Sequence, residues 1–252
     1  MKKLYEKNEL AFALVWIAIY CVLQSIANPL SETIGIHYAA NAAVCILMTI
    51  VLFAFIRKNN LQQRYGLCAS SVPARRFLYY LPLVILASGN FWNGLHINYS
   101  LAGTICYIAG MLCVGFLEEV IFRGFLFRSI AKDNVMLAVI ISSVTFGIGH
   151  IINLVNGSGM DLVANLCQIC FAIAVGILMV TIFYRGGSLI PCILVHSAIN
   201  SLSAFTNEAA LSTRSYVLYM AVLIIIAVAY TLILTRTLPR PLPTTGKDRR
   251  QP

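Results

Sequence analysis

Runs of about twenty apolar residues recur along the whole of this 252-residue chain, and they constrain its fold more than any other feature. A bilayer core about 30 Å thick takes roughly 20 residues of α-helix to cross, and inside it every backbone N–H and C=O must be paired within the protein. Eight such runs stand between polar breaks, at 9–26, 39–56, 77–95, 101–126, 135–152, 162–184, 189–205 and 216–234. Asn90, Asn93, His196 and Asn200 interrupt the third and seventh. With 60% hydrophobic and 11% charged residues and a mean hydropathy of +0.84, the chain lies outside the range of soluble globular domains. The expectation is an all-α polytopic membrane protein of about eight transmembrane helices with a polar site inside the membrane. A single domain would cover 1–234. The basic segment 235–252, with Pro239, Pro241 and Pro243, has too little apolar character to bury a core and reads as a disordered cytoplasmic tail.

Charge placement tests the count independently, because cytoplasmic loops are enriched in Lys and Arg. Eight spans with both termini cytoplasmic put every one of the 18 basic residues on the inside except Arg123, which falls in a span, and Arg214. The net charge of +9 then follows from topology and from contact with anionic lipid headgroups, so membrane lipids are the expected partner and nucleic acid is not. This pattern fits the cell membrane of a bacterium. A cleaved signal peptide ending near Ala27 is the competing reading of the first run; it would leave seven spans and a new N-terminus that the charge bias does not explain. Seven of the eight cysteines lie in apolar runs, so no disulfide framework is implied. Cys167 and Cys170 form a CxxC in mid-helix, where both read as small buried hydrophobes. The interval 57–76, the longest between spans, reads as an interfacial segment leading into the third helix.

Ionisable groups at membrane depth are costly and persist where they are paired or line a polar cavity. Seven of the nine acids fall in loops or tails, leaving the adjacent Glu118 and Glu119; His37 and His96 sit at span ends, leaving His150 and His196. With Arg123 and Asn200 these make six polar groups on the predicted fourth, fifth and seventh helices, with almost nothing else polar at that depth. Glu119 and Arg123 are an i, i+4 pair with the acid N-terminal, the favoured orientation for neutralising each other. Glu118 lies about 100° further around the helix and is the candidate general base. His196 and Asn200 share one helix face. A carboxylate and an imidazole converging on one water, with a second imidazole and an amide facing a developing oxyanion, suffice for peptide hydrolysis without a covalent intermediate. Taken singly, the Glu–Arg pair reads as structural, a buried His or Asn as interhelical glue, and Phe122, Phe125, Phe127 and Phe146 as packing. Their joint occurrence favours chemistry.

Three segments carry a resemblance to a known family: Glu118-Glu119-Val120-Ile121-Phe122-Arg123 matches EExxxR, Phe146 to His150 matches FxxxH, and His196 to Asn200 matches HxxxN. In this order and spacing they resemble the CAAX protease and bacteriocin-processing family, also called Abi, of intramembrane proteases. The likeness covers a motif core of about 113–200. It implies an eight-helix fold with its site in the membrane near the cytoplasmic side. It further implies that Glu118 and His150 activate water, that His196 and Asn200 stabilise the oxyanion, and that Glu119 with Arg123 is largely structural. The implied reaction is cleavage of membrane-associated or lipidated peptides without a cofactor.

Two alternatives stand beside it. Glu118, His150 and His196 form a His₂Glu set of the kind that binds Zn²⁺ in other metalloproteases, although HExxH spacing is missing. A non-enzymatic transporter or bacteriocin-immunity protein would also place Glu and His in the membrane, although no internal repeat is found.

Overall fold

The computed structural model describes residues 1–155, 161–207 and 212–239. Among these the architecture is all-helical, with an isolated bridge between Leu95 and Thr206. The helices are α1 (Lys2–Lys7), α2 (Glu9–Ile34), α3 (Ala39–Lys58), α4 (Leu81–Ser88) and α5 (Leu101–Glu118). A π-helical stretch, Glu119–Phe127, carries α5 on into α6 (Arg128–Ala131). Then follow α7 (Val135–Gly149), α8 (Ile151–Val155), α9 (Leu162–Gly186), α10 (Ile190–Leu202) and α11 (Thr213–Thr237). Side-chain oxygens cap the starts of α2, α5, α7, α9 and α11, from Asn8, Ser100, Asn134, Asp161 and Ser212. Each satisfies an N–H that the first helical turn leaves orphaned.

The eight expected spans are only partly realised. Five helices are long and apolar enough to cross a membrane, Glu9–Ile34, Ala39–Lys58, Leu101–Ala131, Leu162–Gly186 and Thr213–Thr237, while Val135–Gly149 and Ile190–Phe205 are shorter apolar helices. The third expected span, 77–95, does not form. Leu78, Tyr79 and Tyr80 take left-handed φ angles of 51°, 51° and 59°, and α4 covers only eight residues, about 12 Å of rise. Pro82 in its first turn lacks the N–H that would continue a helix from upstream. Beyond α4 the buried Asn90 donates to the Ile199 carbonyl and accepts from the Thr206 hydroxyl, both at 2.9 Å, which ties this segment to α10 and the turn after it. At the other end of the chain, α11 continues to Thr237, so residues 235–237 of the expected disordered tail are helical. Residues 240–252 of that tail lie outside the described residues.

Contacts gather the basic segments at one end of the bundle. Glu9, at the start of α2, pairs with Arg64 and with Lys132, each at 2.5 Å. The Arg185 guanidinium at the end of α9 donates to the Leu238 carbonyl beyond α11, so the two described chain ends lie at this same end. The 57–76 interval is folded onto the turn between α9 and α10. Ser70 and Ser71 hydroxyls donate to the Gly186 carbonyl, and the Leu189 N–H donates to the Gly66 carbonyl at 2.8 Å. Gly66 has φ +68°, and a Cβ there would lie 2.5 Å from the Phe183 ring and 2.8 Å from the Leu189 nitrogen, so backbone and space both demand glycine. Next to it Tyr65 is buried edge-on to Phe125, with ring centroids 4.8 Å apart. The interval is therefore a plug seated in the basic end.

Two apolar clusters fill the interior. One includes Phe12, Trp16, Leu52, Tyr65, Phe125 and Phe146, the other Phe77, Leu178, Phe183, Cys192 and Tyr230. Both contribute walls to one cavity of about 1020 Å³, and the polar groups lie there.

Candidate active site

The approach of α5 to α10 places the two glutamates. A Cβ on Gly115 would lie 2.2 Å from the Ser197 Oγ and 2.6 Å from its nitrogen, so only glycine lets the helices meet there. The Ser197 hydroxyl donates to the Leu112 carbonyl at 3.0 Å across the same contact. Small residues and side-chain hydrogen bonds are how apolar helices come close in a membrane. Three residues beyond Gly115, α5 reaches Glu118 and widens into π winding. Such turns are rare inside α-helices and are found frequently at functional sites.

His196, adjacent to Ser197, faces both acids: its Nδ1 donates to Glu119 Oε1 at 2.8 Å, and its Nε2 lies 3.4 Å from Glu118 Oε2. Glu119 Oε1 also lies 3.3 Å from Arg123 Nη1, with both side chains fully buried. Arg123 rests 4.0 Å over the Phe146 ring, a cation–π contact that partly compensates a guanidinium taken out of water. The Phe146 ring meets the His150 and His196 rings edge-on, at 5.2 and 5.6 Å. The residue expected to be packing is thus the wall that Arg123 and both histidines share.

His150 closes α7 as its C-cap. Its Nδ1 donates to the Phe146 carbonyl at 3.1 Å, and its own carbonyl accepts from the buried Asn165 side chain at 3.0 Å. With the proton held at Nδ1, Nε2 keeps its lone pair.

Glu118, Glu119, His150, His196 and Asn200 all line the cavity, while Arg123 supports Glu119 from behind its wall. Glu118, Glu119, Arg123 and His196 form one polar chain; His150 joins through the Phe146 ring, and Asn200 stands one helical turn beyond His196. Counted along the continuous helix, Glu118 is closer to mid-depth than to either end, some 20 Å from Ala131. Among the described residues, no three His, Cys, Asp or Glu side chains converge in a way that could hold a metal ion.

The expectation that almost nothing else polar lies at this depth is overturned. The Tyr20 hydroxyl donates to Glu118 Oε1 at 2.7 Å. Further along α2, the Asn41 side chain bridges Gln24 Oε1 at 3.1 Å and Asn28 Oδ1 at 2.9 Å and accepts from the Ser31 hydroxyl at 2.9 Å. The signal was present in the sequence, since Tyr20, Gln24, Asn28 and Ser31 recur at helical spacing on one face of an otherwise apolar run. Ranking depth by ionisable groups passed over it. Asn165 has no such pattern and is visible only once α7 and α9 pack.

Tyr20→Phe removes a hydrogen bond to a charged acceptor, an interaction worth roughly 1.5–3 kcal/mol. With Glu118 as the general base that the sequence leads one to expect, the result is a kcat about tenfold lower at unchanged KM in a steady-state assay of peptide cleavage.

Residues 100–202 match the family described as Type II CAAX prenyl endopeptidase Rce1-like. No curated protein and no solved structure matches the chain. The matched residues run from the start of α5 through α10 and contain all three motifs with Glu118, Glu119, Arg123 and His196, while Tyr20, Gln24, Asn28 and Asn41 lie outside them. Residues 100–202 are therefore similar to the Rce1-like CAAX prenyl endopeptidases, and they lie within a multi-pass membrane protein.

Proposed function

We propose that this chain is a metal-independent glutamate endopeptidase of the cell membrane, with both termini cytoplasmic, that hydrolyses membrane-associated or lipidated peptides. The observation that carries the reading is Glu118: a carboxylate on a cavity wall, oriented by the Tyr20 hydroxyl and facing the His196 ring, while His150 on the same cavity turns Nδ1 to the Phe146 carbonyl and leaves Nε2 outside that bond. Glu119 is unsuited to the same role, because it is fully buried and engaged by Arg123 and His196.

A water held between Glu118 and His150 Nε2 gives its proton to the Glu118 carboxylate as its oxygen bonds to the scissile carbonyl carbon. The tetrahedral oxyanion is met by the Asn200 amide and by His196 in its doubly protonated form, whose Nδ1–H is held by Glu119 while its Nε2–H donates to the oxyanion. Glu118 then passes its proton to the departing amine nitrogen as the C–N bond breaks. No covalent intermediate forms, and Zn²⁺ has no part in any step.

The test is cleavage of a fluorogenic peptide, in lipidated and unmodified forms, by the purified detergent-solubilised chain with and without a strong chelator. Activity is expected to persist in chelator and to fall by about 10²- to 10⁴-fold in His150→Ala. Loss of activity in chelator would replace this reading with the zinc-dependent one. Undiminished cleavage by His150→Ala would remove His150 from the mechanism.

A further inference from the structure

The cavity is lined almost entirely from one half of the bundle. Its walls come from 20–32 of α2, 41–45 of α3, 106–118 of α5, the C-terminal ends of α7 and α10, 168–179 of α9 and 216–223 of α11. Apart from Glu119, Phe122, Val175 and Met179, which reach toward the basic end, these stretches lie mainly in the part of the helix away from where Arg64, Lys132 and Arg185 gather. That basic end is filled by Tyr65 and by the Gly66 contact with Leu189. From the fully buried Glu119 the cavity wall extends past the carboxamides of Gln24, Asn28 and Asn41 to the exposed Glu32 and His37 at the turn between α2 and α3. Among the described residues the lining includes Glu32, Glu118 and Glu119 and neither Lys nor Arg.

We propose that substrate reaches Glu118 from the end of the bundle opposite its basic face, along this carboxamide-lined arm, and that the arm takes an extended, neutral or cationic peptide segment. The inference rests on the protease reading and adds to it an entry side and a substrate chemistry. Under the positive-inside rule the entry side is the non-cytoplasmic one. A chain threading a membrane cavity must pair its backbone amides, and side-chain carboxamides supply both donor and acceptor for that purpose. Glu119 is offset by Arg123 behind the wall, but Glu32 and Glu118 have no Lys or Arg partner among the described residues, so the arm repels an acidic segment and draws in a basic one.

The experiment uses full-length variants in sealed membrane vesicles of both orientations, a membrane-impermeant sulfonated maleimide, and the wild-type chain with its native cysteines as the blank. Asn28→Cys and Glu32→Cys are expected to label from one face, and the exposed Arg75→Cys from the other. Labelled Asn28→Cys is expected to lose about tenfold or more in kcat/KM on an unmodified peptide, with labelled Arg75→Cys unchanged. Wild type is expected to favour a Lys-flanked peptide over its Glu-flanked counterpart by about three- to tenfold in KM, with Glu32→Lys erasing the preference at constant kcat. Labelling of Asn28→Cys from the same face as Arg75→Cys, full activity after Asn28→Cys is blocked, or equal KM for the two peptides overturns the proposal. Where any of these accompanies cleavage that depends on Glu118, the protease reading survives and only the entry route falls. A wild-type chain that cleaves neither peptide overturns the protease reading and this inference with it.

Discussion

On the proposed mechanism Glu118→Gln is expected to lower peptide cleavage by about 10²- to 10⁴-fold, the range over which a positioned acid–base group contributes, and to leave the thermal midpoint in detergent unchanged. The substitution is isosteric. The amide oxygen still accepts from Tyr20, whose hydroxyl lies 2.7 Å from Glu118 Oε1, so the side chain keeps its place. What it loses is the capacity to take a proton from water and return it to the leaving amine. Because Glu118 is slightly exposed to the cavity and carries no guanidinium partner, its neutralisation strands no buried charge. An unfolded variant would mean that Glu118 is structural, and a folded variant that still cleaves would make another group the base.

Arg123→Met has the opposite signature, a large loss of stability that precedes any question of rate. It leaves the Glu119 carboxylate fully buried with His196 as its remaining partner. Removing one member of a buried ion pair costs about 3–5 kcal/mol, because the other charge remains out of water. The measurement is the thermal midpoint in detergent, expected to drop by several degrees. The double variant Glu119→Gln with Arg123→Met removes both charges and is expected to recover most of that loss, since a buried pair contributes little over neutral groups of similar volume. Activity is not expected to recover with it, because the Gln amide oxygen still accepts from His196 Nδ1 but, being uncharged, holds the donating ring more weakly than the carboxylate does. A single variant as stable as wild type would show that the pair is dispensable to the fold. A double variant with full activity would show that His196 is oriented by something else.

The chemistry-bearing residues were legible in the chain because hydrocarbon tolerates so few of them. Glu118, Glu119, Arg123, His150, His196 and Asn200 stood out as polar positions in apolar runs, and the i, i+4 geometry correctly paired Glu119 with Arg123. The same reasoning missed Tyr20 and the Gln24, Asn28 and Ser31 stripe, since uncharged polar groups perturb hydropathy too little to rank beside carboxylates and imidazoles. It also counted 77–95 as a span, because apolar composition does not register the left-handed backbone at Leu78 to Tyr80 or the break at Pro82. The glutamate–imidazole geometry was further out of reach. It depends on π winding after Glu118 and on the Gly115 contact with Ser197.

By itself the sequence determined the solvent, the all-helical architecture, the clustering of the basic segments and the identity of the polar set. Each is a consequence of transfer free energy acting residue by residue, which composition and spacing express directly. Only the tertiary structure decided that His196 spans both glutamates, that Phe146 is the wall shared by Arg123 and both histidines, and that the cavity extends away from the basic end. Those are matters of which helix faces touch, at which residue and at what separation, and they are settled by close packing between segments far apart in the chain, such as Tyr20 with Glu118 and Asn90 with Thr206.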